Sequence, residues 1–415
     1  MDDPARDGGG GPAPLPRGGA LEVFLVALGL GLTSFGGPIA HLGYFERTYV
    51  RQRRWLSADD YAGLVALCQM TPGPASSQVG FLVGLRRAGW AGAFAAWIGF
   101  TLPSALLMFA FAELAPRLGG PLATAALHGL KLVAVAVVAQ AVWSMGRKLC
   151  PDLPRQALAG IAAALCLFIG GASIQLAALL AGAVGGVVLC RYVRDGAPPP
   201  DLPIGRRMGL LAGLIFLALL LGLPLAAQMS APKSIPALAA IFYRAGALVF
   251  GGGHVVLPLL RDALAPSGWV SDGAFLAGYG AAQAVPGPLF TFAAYLGVAA
   301  APPAASLGQG ALWSATALVF LFLPGLLIAV AGYTVWSWIG QRPSARGALA
   351  GVNAAVVGVL AAALYTPIWT SAVLNLRDVA IALAALLLLE RWRTPPILIV
   401  LFCIGAAVGS AWAWR

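Results

Sequence analysis

The stretch CQMTPGPASSQ, residues 68–78, sets Pro72, Gly73 and Pro74 in the middle of an apolar segment. A helix continued through it would lose backbone hydrogen bonds and kink. AQAVPGPLFTF, residues 282–292, puts Pro286, Gly287 and Pro288 in the same setting. A chain that breaks two apolar helices in the same way is organised around those breaks, and the surrounding sequence tells what solvent they sit in.

That solvent is lipid. The 415 residues are 60% hydrophobic and 10% charged, against roughly 25% charged in an ordinary soluble domain. Residues 156–190, 208–232, 273–341, 347–376 and 394–414 contain no Asp, Glu, Lys or Arg, and several exceed the ~20 apolar residues a helix needs to cross a bilayer. The runs are rich in Ala, Leu, Gly and Val and lack the alternation of a lipid-facing strand. An all-α polytopic membrane protein remains. The net charge of +11 does not mark a nucleic-acid binder, because the arginines lie between apolar segments, as in cytoplasmic loops, and are not clustered on one face. Cys68, Cys150, Cys166, Cys190 and Cys403 show no paired spacing and read as small inert hydrophobes. Residues 1–20, rich in Gly and Pro, read as a disordered tail before a first retained span starting at Leu21.

The chain is also written twice. Phe35–Gly37 returns at Phe250–Gly252, 215 residues on, while Trp55–Ser57 returns at Trp269–Ser271 and the Gln69–Pro74 pattern at Gln283–Pro288, both 214 on. Leu102 and Pro103 match Leu323 and Pro324, and residues 127–143 match 349–365. Shared order at a nearly constant offset points to duplication, as in many transporters. The expected organisation is a first repeat over 21–195, a linker over 196–233 with an unpaired span at 208–228, and a second repeat over 234–415. Each repeat holds about six helical segments, including re-entrant or broken ones.

FGGPIAH (35–41), TPGP (71–74) and the recurring FGGG and VPGP resemble the chromate ion transporter family in its long, two-domain form over nearly the whole chain. The resemblance implies halves inverted in the inner membrane, with export of chromate, a tetrahedral oxyanion related in shape to sulfate, coupled to protons and conferring chromate resistance. The charges support inversion only in part. Arg47, Arg51, Arg53, Arg54, Arg147, Lys148, Arg155, Arg191, Arg194, Arg206 and Arg207 fit cytoplasmic loops, but in the second half Arg342, Arg346, Arg391 and Arg393 stand against Arg261, Arg377 and Arg415.

Non-helical backbone at membrane depth is tolerated where it is buried in protein or lines a cavity, so the breaks mark the expected site. Pro74 and Pro288 suit the first turn of a new helix, whose free amides at Ser76, Ser77 and Gln78, or at Phe290 and Thr291, would attract an anion. Gly36, Gly37, Gly251, Gly252 and Gly253 would let backbone approach a ligand. They serve equally well as small residues for helix packing. Gln69, Thr71, Ser76, Ser77, Gln78, Gln283 and Thr291 supply polar side chains; with Pro72, Gly73, Pro74, Pro286, Gly287 and Pro288 they complete the expected substrate site. Thr71, Ser76 and Ser77 face Val285, Phe290 and Thr291 across the repeat, so the first half should hold the ion and Thr71 should matter more than Val285.

Lys131, His41 and His254 are candidates for charge or proton coupling, as are Glu22 and Glu113, which also sit near enough to segment ends to reach the interface. Ser57 before Asp59 and Asp60 reads as a helix cap, not as catalysis. No HExxH, phosphate-binding GxxxxGK[ST] or metal-ligating cluster occurs, so an enzyme is disfavoured and no cofactor is expected. The partners expected are a chromate or sulfate-like anion and membrane lipid, with a homodimer left open. The alternative is a transporter or channel for another small anion such as sulfate, by uptake or exchange.

Overall fold

The computed structural model describes residues 18–117, 119–169, 171–190, 199–250, 253–303, 305–339 and 342–412. Most of the tail expected over 1–20, together with Arg191, Arg194, Gly251, Gly252 and Arg415, lies outside them.

The first half opens with α1 (Ala20–Thr33), α2 (Gly37–Phe45), α3 (Ala58–Met70) and α4 (Ala75–Leu114), then runs through α5 (Pro121–Leu149), α6 (Leu153–Phe168) and α7 (Ala172–Leu189). After the linker helix α8 (Arg206–Gln228) the same order returns as α9 (Ile235–Leu248), α10 (Val256–Leu264), α11 (Asp272–Ala282), α12 (Phe292–Ala299) and α13 (Leu307–Ile339). It continues with α14 (Pro343–Ala363), a π-helical turn (Leu364–Trp369), the single turn α15 (Thr370–Ala372), α16 (Leu376–Arg391) and α17 (Pro396–Trp412). α4, α5, α8, α13 and α14 have the length and composition to cross a membrane.

α4 is two helices. At Ala88 and Gly89, the latter with φ +65°, the chain leaves helical geometry. In a straight helix Phe81 and Phe94 would stand ~20 Å apart, yet their rings lie 5.7 Å apart and Phe81 also meets Trp90 at 6.4 Å. Gly84 and Gly92 let the two arms touch backbone to backbone.

Ion pairs at the helix ends fix the path. Arg87 holds Glu22 at 3.1 Å, Arg86 holds Asp60 at 2.8 Å, and the Arg87 guanidinium sits 5.3 Å over the Trp55 ring. The starts of α1 and α3, the end of the α2 segment and the tip of α4 therefore share one face of the bundle. α1 with α2, and α3 with the first arm of α4, enter from that face and return to it. The second half does the same from the opposite face: Arg261 in the last turn of α10 pairs with Asp272 at the start of α11 at 2.8 Å, and Lys233 before α9 reaches the Gly268 carbonyl at 2.6 Å. Glu113, at the far end of α4, lies against Gly310 there. The halves are inverted repeats, each carrying two re-entrant helix pairs.

This arrangement resolves the divided charges. Arg342 and Arg346 begin α14, Arg391 ends α16 and Arg393 lies just beyond it, so all four join the described first-half arginines on the first face, while Arg117, Lys233, Arg261 and Arg377 mark the second. By the positive-inside rule the first face is cytoplasmic. With Asp59→Cys and Ser267→Cys, both exposed, a membrane-impermeant thiol reagent added to intact cells should label the second and leave the first unlabelled.

Small residues set the packing of the outer helices. A Cβ at Gly351 would strike the Gly182 carbonyl, and one at Gly186 the Gly347 carbonyl, so α7 and α14 meet through paired glycines four apart. Gly351→Leu should destabilise the detergent-solubilised protein by about 3 kcal/mol, seen as a lower unfolding midpoint. Gly405→Leu, with nothing within 4 Å of the added carbon, should leave it unchanged.

Candidate functional site

The re-entrant tips meet at mid-depth and hold one another. The Gly73 amide donates to the Val249 carbonyl of the other half at 2.7 Å, and the Gly287 amide donates to the Ser34 carbonyl at 2.8 Å. Val249 and Ser34 are equivalent positions, each just before the Phe-Gly-Gly break. Each proline-flanked turn therefore caps the end of a helix in the opposite repeat, taking up a carbonyl that helix geometry leaves unpaired. The long helices obey the same exchange: Gly73 lies against Gly325, next to Pro324, and Gly287 lies against Ser104, next to Pro103. The two double-glycine breaks also touch, since a Cβ at Gly253 would stand 3.4 Å from the Pro38 ring. At this crossover α2, α4 and the turn leading into α12 begin, so several helix N-termini carry positive partial charge towards one region.

Buried polar groups gather in these segments. Ser34, His41, Ser76, Ser77, Gln78 and Thr101 are each at most 3% exposed. Among the described residues, Ser34 Oγ, Ser77 Oγ, Gln78 Oε1 and Thr101 Oγ1 have no hydrogen-bond partner. Burying such groups unpaired costs about 1–3 kcal/mol each. Neither the cavity beside Gln175 and Asp262 nor the apolar one beside Phe81 and Trp90 is lined by a residue of the proline-flanked turns.

The expected residues divide. Gly36 and Gly37 take the left-handed backbone their role requires, with φ +99° and +78°, and Ser76 Oγ lies 3.4 Å from His41 Nδ1. Gln78 is a clamp: its Nε2 donates to the Pro72 and Gly325 carbonyls, both at 2.8 Å. Thr71 donates to the Leu67 and Cys68 carbonyls and Thr291 to the Pro288 carbonyl, so both hydroxyls close their own turns. The amides of Gln78 and Thr291 are likewise taken by Pro74 and Pro288, which leaves the earlier first-turn amides as donors. Gln69 is exposed on α3. His254 bonds the Tyr279 hydroxyl at 2.7 Å within the second half.

The coupling candidates outside the turns lie elsewhere. Lys131 sits at the start of α11, its Nζ 3.0 Å from where Gly273 would carry a Cβ, about ten helical residues (~15 Å) from the second turn. Glu22 pairs with Arg87, and Glu113 pairs with Arg117 at 3.6 Å, on opposite faces.

Ser34, Thr101 and Ser104 went unread in the sequence. The match of Pro103 to Pro324 was the available signal: it marked both long helices as part of the repeat without telling that each receives the other half's turn.

Two homologous, inverted halves with interrupted helices meeting at mid-depth define a multi-pass membrane transporter. The sequence profile described as "Chromate transporter" matches residues 21–187 and 236–409. The chain belongs to the chromate transporter family. It is 28% identical to a chromate transport protein of Pseudomonas aeruginosa, covering 82% of this chain and 79% of that one, and 26% identical to a chromate transport protein of Cupriavidus metallidurans, covering 83% and 81%. An uncharacterized transporter of Methanocaldococcus jannaschii is 24% identical over 83% of each chain. No solved structure matches it.

Proposed function

We propose that this chain is a secondary transporter that exports chromate across the inner membrane in exchange for protons, conferring chromate resistance, and that the dianion binds at the crossover. The observation that carries the reading is the set of buried, unpartnered hydroxyls of Ser34, Ser77 and Thr101, with the buried His41 against Ser76, around turns that each half caps for the other. A dianion is expensive to dehydrate and one helix terminus contributes at most about 2 kcal/mol, so hydroxyls, an imidazole and several termini must act together. The first half supplies nearly all of these side chains, which fits an ion held asymmetrically. The relatives named chromate transport protein support the choice of chromate. An outward-directed carrier should lower chromate accumulation in cells expressing it, and excess sulfate should weaken the effect by competition. Higher internal chromate than in control cells would overturn the export assignment.

A further inference from the structure

Away from the crossover, a cavity of about 240 Å³ lies at the second face, walled by α6 and α7 of the first half and α10 and α14 of the second. Asp262 Oδ2 accepts a 2.6 Å hydrogen bond from Gln175 Nε2, and Oδ1 lies 3.2 Å from Arg261 Nη1. The guanidinium is already committed to Asp272 through Nε at 2.8 Å and Nη2 at 3.1 Å. Two carboxylates thus share one cation, which leaves the group one negative charge in excess. The groups facing Asp262 are Arg261 on its own helix, Asp272 at the start of α11 and the Cys166 thiol on α6, while α7 and α14 with its π-helical turn present the neutral Gln175 and Thr366.

We infer that Asp262 is the proton-binding carboxylate of the transport cycle, loaded from water in this cavity; the inference rests on the exchange of chromate for protons proposed above. A single proton would neutralise the two-carboxylate, one-guanidinium set, and close carboxylate pairs favour sharing one. Gln175 suits both states. It is 5% exposed, its Nε2 serves the carboxylate, and its Oε1 has no partner; turned over, that oxygen accepts the hydrogen of the protonated acid. A metal would require more ligands than this: no group of three or more His, Cys, Asp or Glu able to hold one occurs among the described residues.

The carboxylate is placed to report its state. The Asp262–Gln175 bond ties α10 of the second half to α7 of the first. α10 leads back over about eight residues, ~12 Å of helix, to Gly253 and His254 at the crossover. Neutralising Asp262 replaces a charge-assisted bond, roughly twice as strong as a neutral one, and loosens the tie between halves. The corresponding positions of the first repeat, Arg47 or Thr48 at offsets of 215 and 214, carry no carboxylate.

The test uses purified, reconstituted full-length protein. pH-difference infrared spectra should contain a carboxylic-acid band that Asp262→Asn removes and Asp262→Glu shifts. In vesicles, Asp262→Asn should retain chromate counterflow within about threefold of wild type while losing at least tenfold of the flux driven by an imposed pH gradient, with Asp262→Glu recovering part of it. A band unchanged by Asp262→Asn, gradient-driven flux equal to wild type, or equal loss of counterflow and gradient-driven flux in a monodisperse protein would each overturn the assignment. If wild-type vesicles move no chromate but the band depends on Asp262, the substrate reading fails and the proton site stands.

Discussion

Gly73→Ala is expected to abolish chromate transport and destabilise the protein severely, whereas Gly287→Ala should be repairable. Both glycines sit where L-residues are disfavoured, at φ +120° and +99°, which costs about 1–3 kcal/mol for a side chain held there. What each new methyl meets decides the rest. At Gly73 it would lie 2.7 Å from the Gly325 Cα, so relief requires moving the backbone of α13. At Gly287 it would lie 2.7 Å from the Ser104 hydroxyl, which Ser104→Ala removes. With overpacking adding about 1–3 kcal/mol, Gly73→Ala should lose roughly 2–6 kcal/mol with no compensating partner. Gly287→Ala with Ser104→Ala should recover part of both the unfolding midpoint and the transport rate. Equal losses at the two positions, or no recovery, would contradict the packing exchange.

The second large effect is a pair of opposite signs. Ser77 is 2% exposed and its Oγ has no partner among the described residues. If the hydroxyl is kept for a ligand, Ser77→Ala should leave the ligand-free protein as stable or slightly more so, because removing an unsatisfied buried hydroxyl relieves about 1–3 kcal/mol. The same change should raise the KM for chromate by at least about tenfold, the loss of one hydrogen bond to a charged group. A merely structural serine would lower the unfolding midpoint and leave the KM unchanged. Gln69→Ala, at an exposed position of α3, should alter neither. A lower unfolding midpoint with unchanged KM for Ser77→Ala would remove this residue from the site.

Much of this architecture was legible because repetition survives in sequence. The proline-flanked turns, double glycines and matched long helices named the elements that meet, and the apolar runs fixed their solvent. The reversal in α4 was not legible: one glycine in RRAGW carries no stronger mark than the many others nearby. Nor was the reciprocal capping, since Gly73 and Gly287 are bound through backbone atoms that every residue possesses. Rotational phase across a break was equally hidden. Gln69 and Gln78 flank the same turn, yet one is exposed and the other fully buried, because the interruption resets which face the next helix presents. Asp262 was not legible because its partner across the repeats, Gln175 on α7, stands 87 residues away in sequence.

The central claim, that the two repeats interlock through their broken helices at one shared centre, can be tested by cross-linking. Pro38 and Gly253, one from each half, come within 3.4 Å of contact where a Cβ on the glycine would meet the proline ring. Cysteines at both positions, in protein lacking its five native cysteines and carrying a protease site between the repeats, should join the two fragments on oxidation. Pro38→Cys with Ser267→Cys at the second face should not. Fragments that separate for the first pair, or join equally for both, would contradict the shared centre.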